Sequence, residues 1–81
     1  MTKSNKLITK LKNAKNTFSW SDLVTLLSQL GYRKHERAGS RVVFIDAEEN
    51  ALHLHKPHPE NIIKGGALKA AKQHLNNRGV L

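Results

Sequence analysis

Three histidines, His53, His55 and His58, are interleaved with Lys56 and the prolines Pro57 and Pro59. Upstream, Gly39-Ser40-Arg41 opens the run Val42-Val43-Phe44-Ile45, and a polar stretch from Asp46 to Asn50 separates the two segments. Imidazole titrates near neutrality, so it can take or give a proton at physiological pH, and it also ligates metals. Arginine and lysine hold phosphate charge. This combination is open to three chemistries.

The first is metal binding, since imidazoles two apart on a strand share a face. Against it, the chain has no cysteine, no carboxylate lies closer to the cluster than Glu60, and the neighbouring cations would repel a dication. No metal and no cofactor is expected. The second is acid–base chemistry on RNA. Metal-independent cleavage needs one group to take the 2′-hydroxyl proton, another to protonate the leaving oxygen, and cations to hold the phosphorane charge. Histidine suits either proton-transfer role, and Arg41, Lys56 and the Gly65-Gly66 amides suit the last. The third is binding without cleavage. Arg33, His35 and Arg37 fall on one face of a strand, and Lys64, Lys69, Lys72 and Arg78 dot the final helical segment. A helix–sheet–helix domain of this charge could dock on an A-form minor groove by shape and phosphate contacts. For any single lysine a solvated helix face is the commoner explanation; the bias in sign, with no acid after Glu60, favours binding.

Such groups need a frame. Arg41 to Asp46 is rich in β-branched and aromatic residues and reads as a central strand. Ala51 to His55 alternates, with Leu52 and Leu54 pointing one way and His53 and His55 the other, as in a half-buried strand. Tyr32 to Arg37 reads as a strand leading into a tight turn at Ala38-Gly39-Ser40. Pro57 and Pro59 break the sheet and hold the backbone near His58 extended. Ahead of the strands, Ser19-Trp20-Ser21-Asp22 matches a capping box in which Asp22 reaches back, and Phe18 and Leu23 occupy the hydrophobic-staple positions. Trp20, Leu23, Leu26, Leu27 and Leu30 form one apolar stripe and Gly31 is a suitable stop, so a helix is expected over roughly 20–30. Ile62 and Ile63 should anchor the following loop. A second helix should start near Gly65 or Gly66, turn Leu68, Ala71 and Leu75 inward and end around Asn77. Residues 1–15 hold five lysines and no acid. Leu7, Ile8 and Leu11 allow a short helix or a basic arm on phosphates, although a frayed, solvated terminus is the plainer expectation.

Eighty-one residues allow one small domain with a thin core, one layer of helix against one sheet. The lack of cysteine removes disulfide and thiolate-metal reinforcement and suits a reducing compartment. Fourteen Lys and Arg against six Asp and Glu give a formal net charge of +8, a field that favours nucleic acid or an acidic protein partner when it is more than a solubility surplus. The longest aliphatic or aromatic run, Val42 to Ile45, is far too short for a membrane span or a signal segment. A soluble, intracellular protein is expected.

At this point the sequence resembles the HicA family of toxin-antitoxin mRNA interferases. The resemblance covers about residues 18–81, with residues 1–15 as a separate arm or short helix. It runs through Leu30-Gly31-Tyr32, Gly39-Ser40-x-x-x-Phe44, Lys56-Pro57-His58-Pro59, Lys64-Gly65-Gly66-Ala67-Leu68 and Arg78-Gly79-Val80. It implies an α+β fold like that of double-stranded-RNA-binding domains, α-β-β-β-α, with helices on one face of a three-stranded antiparallel sheet and an extra N-terminal helix as an option. It also implies a cytoplasmic endoribonuclease toxin that cleaves mRNA and is neutralised by an acidic HicB-like antitoxin, with DNA reached only through the antitoxin complex and no membrane involved. The family's usual motif is Gly-Ser-His, whose histidine is regarded as catalytic; here Arg41 stands at that position, and arginine cannot exchange a proton near neutral pH. Three explanations stay open. A neighbouring histidine, His55 or His58 with His35 in reserve, does the proton transfer; or the chain is inactive and only binds; or cleavage runs slowly on phosphate stabilisation alone. On the first, Arg41 and Lys56 hold the scissile phosphate, Gly39 and Ser40 shape the turn that presents Arg41, and Arg33, His35, Arg37, Lys64 and Lys69 contact RNA.

Overall fold

The computed structural model describes residues 3–57 and 59–81, with side chains from Lys6 onward. The α1 helix (Lys3–Asn13) is followed by a short β1 strand (Thr17–Ser19) and by α2 (Trp20–Gln29). Three strands come next, β2 (Arg33–Glu36), β3 (Arg41–Ile45) and β4 (Ala51–His55), then a short β5 (Ile62–Lys64) and α3 (Gly65–Asn77). The expected α+β order is present, together with the additional N-terminal helix.

The main sheet has the order β2-β3-β4, antiparallel throughout, with β3 central. Period-two alternation divides it into two faces. Val42, Phe44, Leu52 and Leu54 are buried on one face and share a core with Trp20, Leu23, Leu26 and Leu27 of α2 and with Leu68, Ala71 and Leu75 of α3. Arg41, His53 and His55 emerge exposed on the other. Helices therefore cover one side of the sheet and leave the second open.

The start of α2 follows the expected chemistry in part. The Ser19 hydroxyl accepts the Asp22 N–H at 3.3 Å, while the Asp22 carboxylate is held by Lys10 Nζ of α1 at 2.9 Å instead of reaching back along its own helix. At the other end Gly31 adopts φ +90°, the left-handed conformation that stops a helix without a Cβ penalty.

Three features differ from expectation. The N-terminal segment is a docked helix and not a frayed arm: Leu11 is 0% exposed, and Lys72 of α3 donates from Nζ to the carbonyl oxygens of Ala14 at 2.7 Å and Lys12 at 3.4 Å, meeting acceptors that a helix end leaves unsatisfied. Second, β1 and β5 pair antiparallel as a two-stranded ribbon, in register Phe18 to Ile63. Strands of three residues carry too little alternation to be read in advance. Third, that alternation separates the two isoleucines, burying Ile63 and leaving Ile62 41% exposed, so only Ile63 anchors the segment. Among the described residues no helix is long and apolar enough to cross a membrane.

Candidate functional site

The open face of the sheet is built in rows set by the strand register. Arg33, Ile45 and Ala51 form one row; His35, Val43 and His53 form the next; Arg41 and His55 lie opposite each other in the third. Same-face rows along a strand are about 7 Å apart. The Arg37 N–H donates to the Arg41 carbonyl at 2.8 Å, so Arg37 extends the third row at the sheet edge.

One backbone hydrogen bond fixes how Arg41 meets His55. The Lys56 N–H donates to the Ser40 carbonyl at 2.7 Å, which makes Ser40 and Lys56 a hydrogen-bonded pair. In an antiparallel ladder the types alternate, so the next pair, Arg41 with His55, is a non-hydrogen-bonded one. In that type the Cα atoms are only about 4.5 Å apart and side chains approach most closely. The β3–β4 register is closed by the Asp46–Asn50 turn, where the Asp46 N–H donates to the Asn50 carbonyl at 3.1 Å. The turn that leads from β2 into Arg41 depends instead on Gly39, whose φ is +71°; an L side chain there would strain the link between β2 and β3. The same turn supplies the Ala38 carbonyl that accepts from Arg41 Nε at 3.4 Å.

Arg37, Arg41, Val43, His53 and His55 line a pocket of about 300 Å³ on this face. Among the described residues no acid forms an ion pair with Arg37 or Arg41. Lys34 pairs with Glu36 at 3.4 Å, but both alternate to the opposite side of β2 from Arg33 and His35. The pocket can therefore hold an anion between Arg41 and Arg37 while offering two imidazoles to groups attached to that anion.

The residues proposed from sequence are distributed unevenly. Arg41, His55, Arg37, Gly39 and Ser40 come together. His35 and Arg33 share the face but lie one and two rows away. Lys56 is exposed just after the end of β4, and alternation starts its side chain from the side opposite His55, so it is not among the residues that line the pocket. His58 lies outside the described residues. Lys64 ion-pairs with Glu60 at 3.9 Å, and Lys69 lies on α3, away from this face. Two further cations grouped with these on sign alone are committed elsewhere. Lys72 holds the end of α1, and Arg78 bridges Glu48 and Asp46, the latter at 3.5 Å. The pocket also contains His53, which the alternation of Ala51 to His55 placed on the open face and which the sequence singled out only as a disfavoured metal ligand with His55 and His58. Among the described residues no group of three or more His, Asp or Glu side chains converges as metal ligands.

A second titratable cluster closes the far end of the fold. Tyr32 Oη and His74 Nε2 are 2.8 Å apart and their rings meet edge to face at 5.7 Å. Burial, and then the nearby Arg78 charge, lower the His74 pKa from its ordinary 6.5, with Asp46 opposing. Burial likewise raises the Tyr32 hydroxyl. Because the folded chain prefers neutral His74, its contribution to stability is complete above pH 6.5 and is lost as pH falls through the lowered folded value. Urea unfolding of the parent should weaken between roughly pH 7 and pH 5, and His74→Gln should weaken less over that interval. Equal slopes for the two proteins would remove His74 as the cause.

Compared with known protein families, residues 20–76 match the family described as HicA toxin of bacterial toxin-antitoxin. No curated protein and no solved structure matches the chain.

Proposed function

The chain belongs to the HicA toxin family of bacterial toxin-antitoxin systems, and from that premise we propose that it is a metal-independent endoribonuclease whose active surface is the open face of the β2-β3-β4 sheet. The observation that carries this reading is the cross-strand pair of Arg41 and His55 on a face with no acid, beside a glycine turn tied to Lys56.

In this mechanism the Arg41 guanidinium holds the scissile phosphate with Arg37 beside it. The Lys56 ammonium, expected from the sequence to share that phosphate, would reach it only from the edge of the sheet. An imidazole, His55 or His58, takes the 2′-hydroxyl proton. The 2′-oxygen attacks phosphorus in line, the P–O5′ bond breaks, and a second protonated imidazole returns a proton to the leaving 5′-oxygen. The products are a 2′,3′-cyclic phosphate and a 5′-hydroxyl end, with protons balanced between the two histidines. Arg41 adds fixed positive charge where the phosphorane develops it. His35, Arg33 and Arg37 would contact the flanking strand. The substrate is mRNA, and an acidic HicB-like antitoxin would cover the same positive face.

The competing reading is a binding-only member that acts with its antitoxin. It is favoured by one specific observation: Arg41 occupies the motif position at which the family's histidine is expected. Expression of the chain alone separates the two readings. Growth arrest and RNA decay that persist in EDTA, with cyclic-phosphate ends, are the expected result. A harmless parent that leaves RNA intact, made toxic by Arg41→His, would establish the binding-only reading instead.

A further inference from the structure

Among the described residues, and with Lys6 and Lys56 set apart, the cations without a carboxylate partner fall into two groups on different parts of the fold. Asp22 holds Lys10, Glu36 holds Lys34, Glu60 holds Lys64, and Asp46 and Glu48 share Arg78. One remaining group is the open sheet face. The other lines a groove of about 850 Å³ between the end of α1 and a flank of α3, where Lys12, Lys15, Lys69 and Lys72 gather with the carboxamides of Asn16 and Gln73. Lys69, Lys72 and Gln73 recur at helical spacing, beside the Leu68, Ala71 and Leu75 face that packs on the sheet. The groove thus belongs to the helical layer, and the sheet separates it from Arg41 and His55.

We propose that this groove is a second RNA-backbone site, gripping phosphates of the substrate strand several nucleotides from the bond held at Arg41 and His55. The proposal rests on the RNA reading above and adds a substrate-length requirement to it. A single small anion would leave most of the groove empty, whereas a polymer of phosphates fills it. Among the described residues no Asp or Glu side chain lines it, so its side-chain charge is positive throughout, and amides supply donors between the amines. An acidic protein segment would share the charge, and binding of poly-L-glutamate is the outcome that would favour it over RNA. Lys12 and Lys15 come from outside the family-matched residues 20–76, so α1 and the turn after it supply two of the groove's four lysines.

The test uses the full chain and its Lys12→Gln/Lys15→Gln/Lys69→Gln variant. All three positions are exposed, and Lys72 is retained because it secures α1. The probes are roughly 20-nucleotide and roughly 5-nucleotide RNAs with 2′-O-methyl sugars, which cannot supply the attacking hydroxyl, titrated over a salt series. On the long probe the variant should lose about 2 from the slope of log affinity against log salt, at about 0.7 per phosphate contact, and bind about tenfold or more weakly. On the short probe it should match the parent. An unchanged long-probe slope and affinity would overturn the groove site while leaving the RNA reading standing; a parent that binds neither probe in a salt-dependent way would end the RNA reading itself. Retained RNA binding with lost binding to poly-L-glutamate would make the groove a protein site, against the proposal. The Lys15→Gln/Lys69→Gln pair repeats the measurement should the triple variant unfold, with an expected slope change of about 1.4.

Discussion

Replacing His55 by alanine is expected to slow RNA cleavage by about 10²–10⁴-fold, the range over which a positioned acid or base acts. His55 sits opposite Arg41 in the pair type with the shortest side-chain approach, so a phosphate held by the guanidinium brings its ribose within reach of the imidazole. The side chain is exposed and outside the core, so the substitution should move stability by no more than about 0.5 kcal/mol. Single-turnover cleavage of one RNA by parent and variant, with unfolding curves alongside, separates chemistry from folding. Cleavage by His55→Ala at the parental rate would remove this imidazole from the mechanism and leave proton transfer to the neighbouring histidines.

Phe44→Ala should act on the other side of the same strand, costing about 3–5 kcal/mol. Phe44 is 1% exposed, occupies the middle of the central strand, and meets Trp20 edge to face with ring centroids 5.9 Å apart. In register it lies between Lys34 and Leu52, so its removal leaves a cavity where α2 and the sheet join. Small domains have only about 5–15 kcal/mol in total, so much of the margin would go. Urea unfolding should show a large fall in midpoint with an unchanged slope. A loss below about 1 kcal/mol would mean that the core is not packed around this ring.

Much of this arrangement is legible in the chain because the relevant patterns are local and strong. The leucine stripe after Ser19 marks α2, and the alternation of Leu52 and Leu54 with His53 and His55 states which groups face the core and which face solvent. The Gly39 turn and the β-rich run after it place Arg41 at the start of the central strand. What could not be read depends on distant partners. Leu11 looks like one leucine among lysines, and only Lys72 and the floor of the helical layer make it a core residue. Arg78 and Lys64 carry the same charge in sequence as Lys69, yet acids elsewhere engage the first two and leave the third in an open groove. Tyr32 and His74, separated by 42 positions, have no motif that joins them. His53 is the instructive case: its orientation was readable, but its membership of the pocket required the register with Val43.

The clasp of Lys72 on the carbonyls that end α1 joins positions 58 residues apart, with a consequence for the order in which the protein comes into being. A nascent chain emerges from its N-terminus, so the first helix leaves the ribosome long before the lysine that fastens it exists. An isolated helix of eleven residues is marginal in water. The opening segment can settle on α2 through Lys10 and Asp22 once that helix is made, but its end is fastened only when the last helix follows.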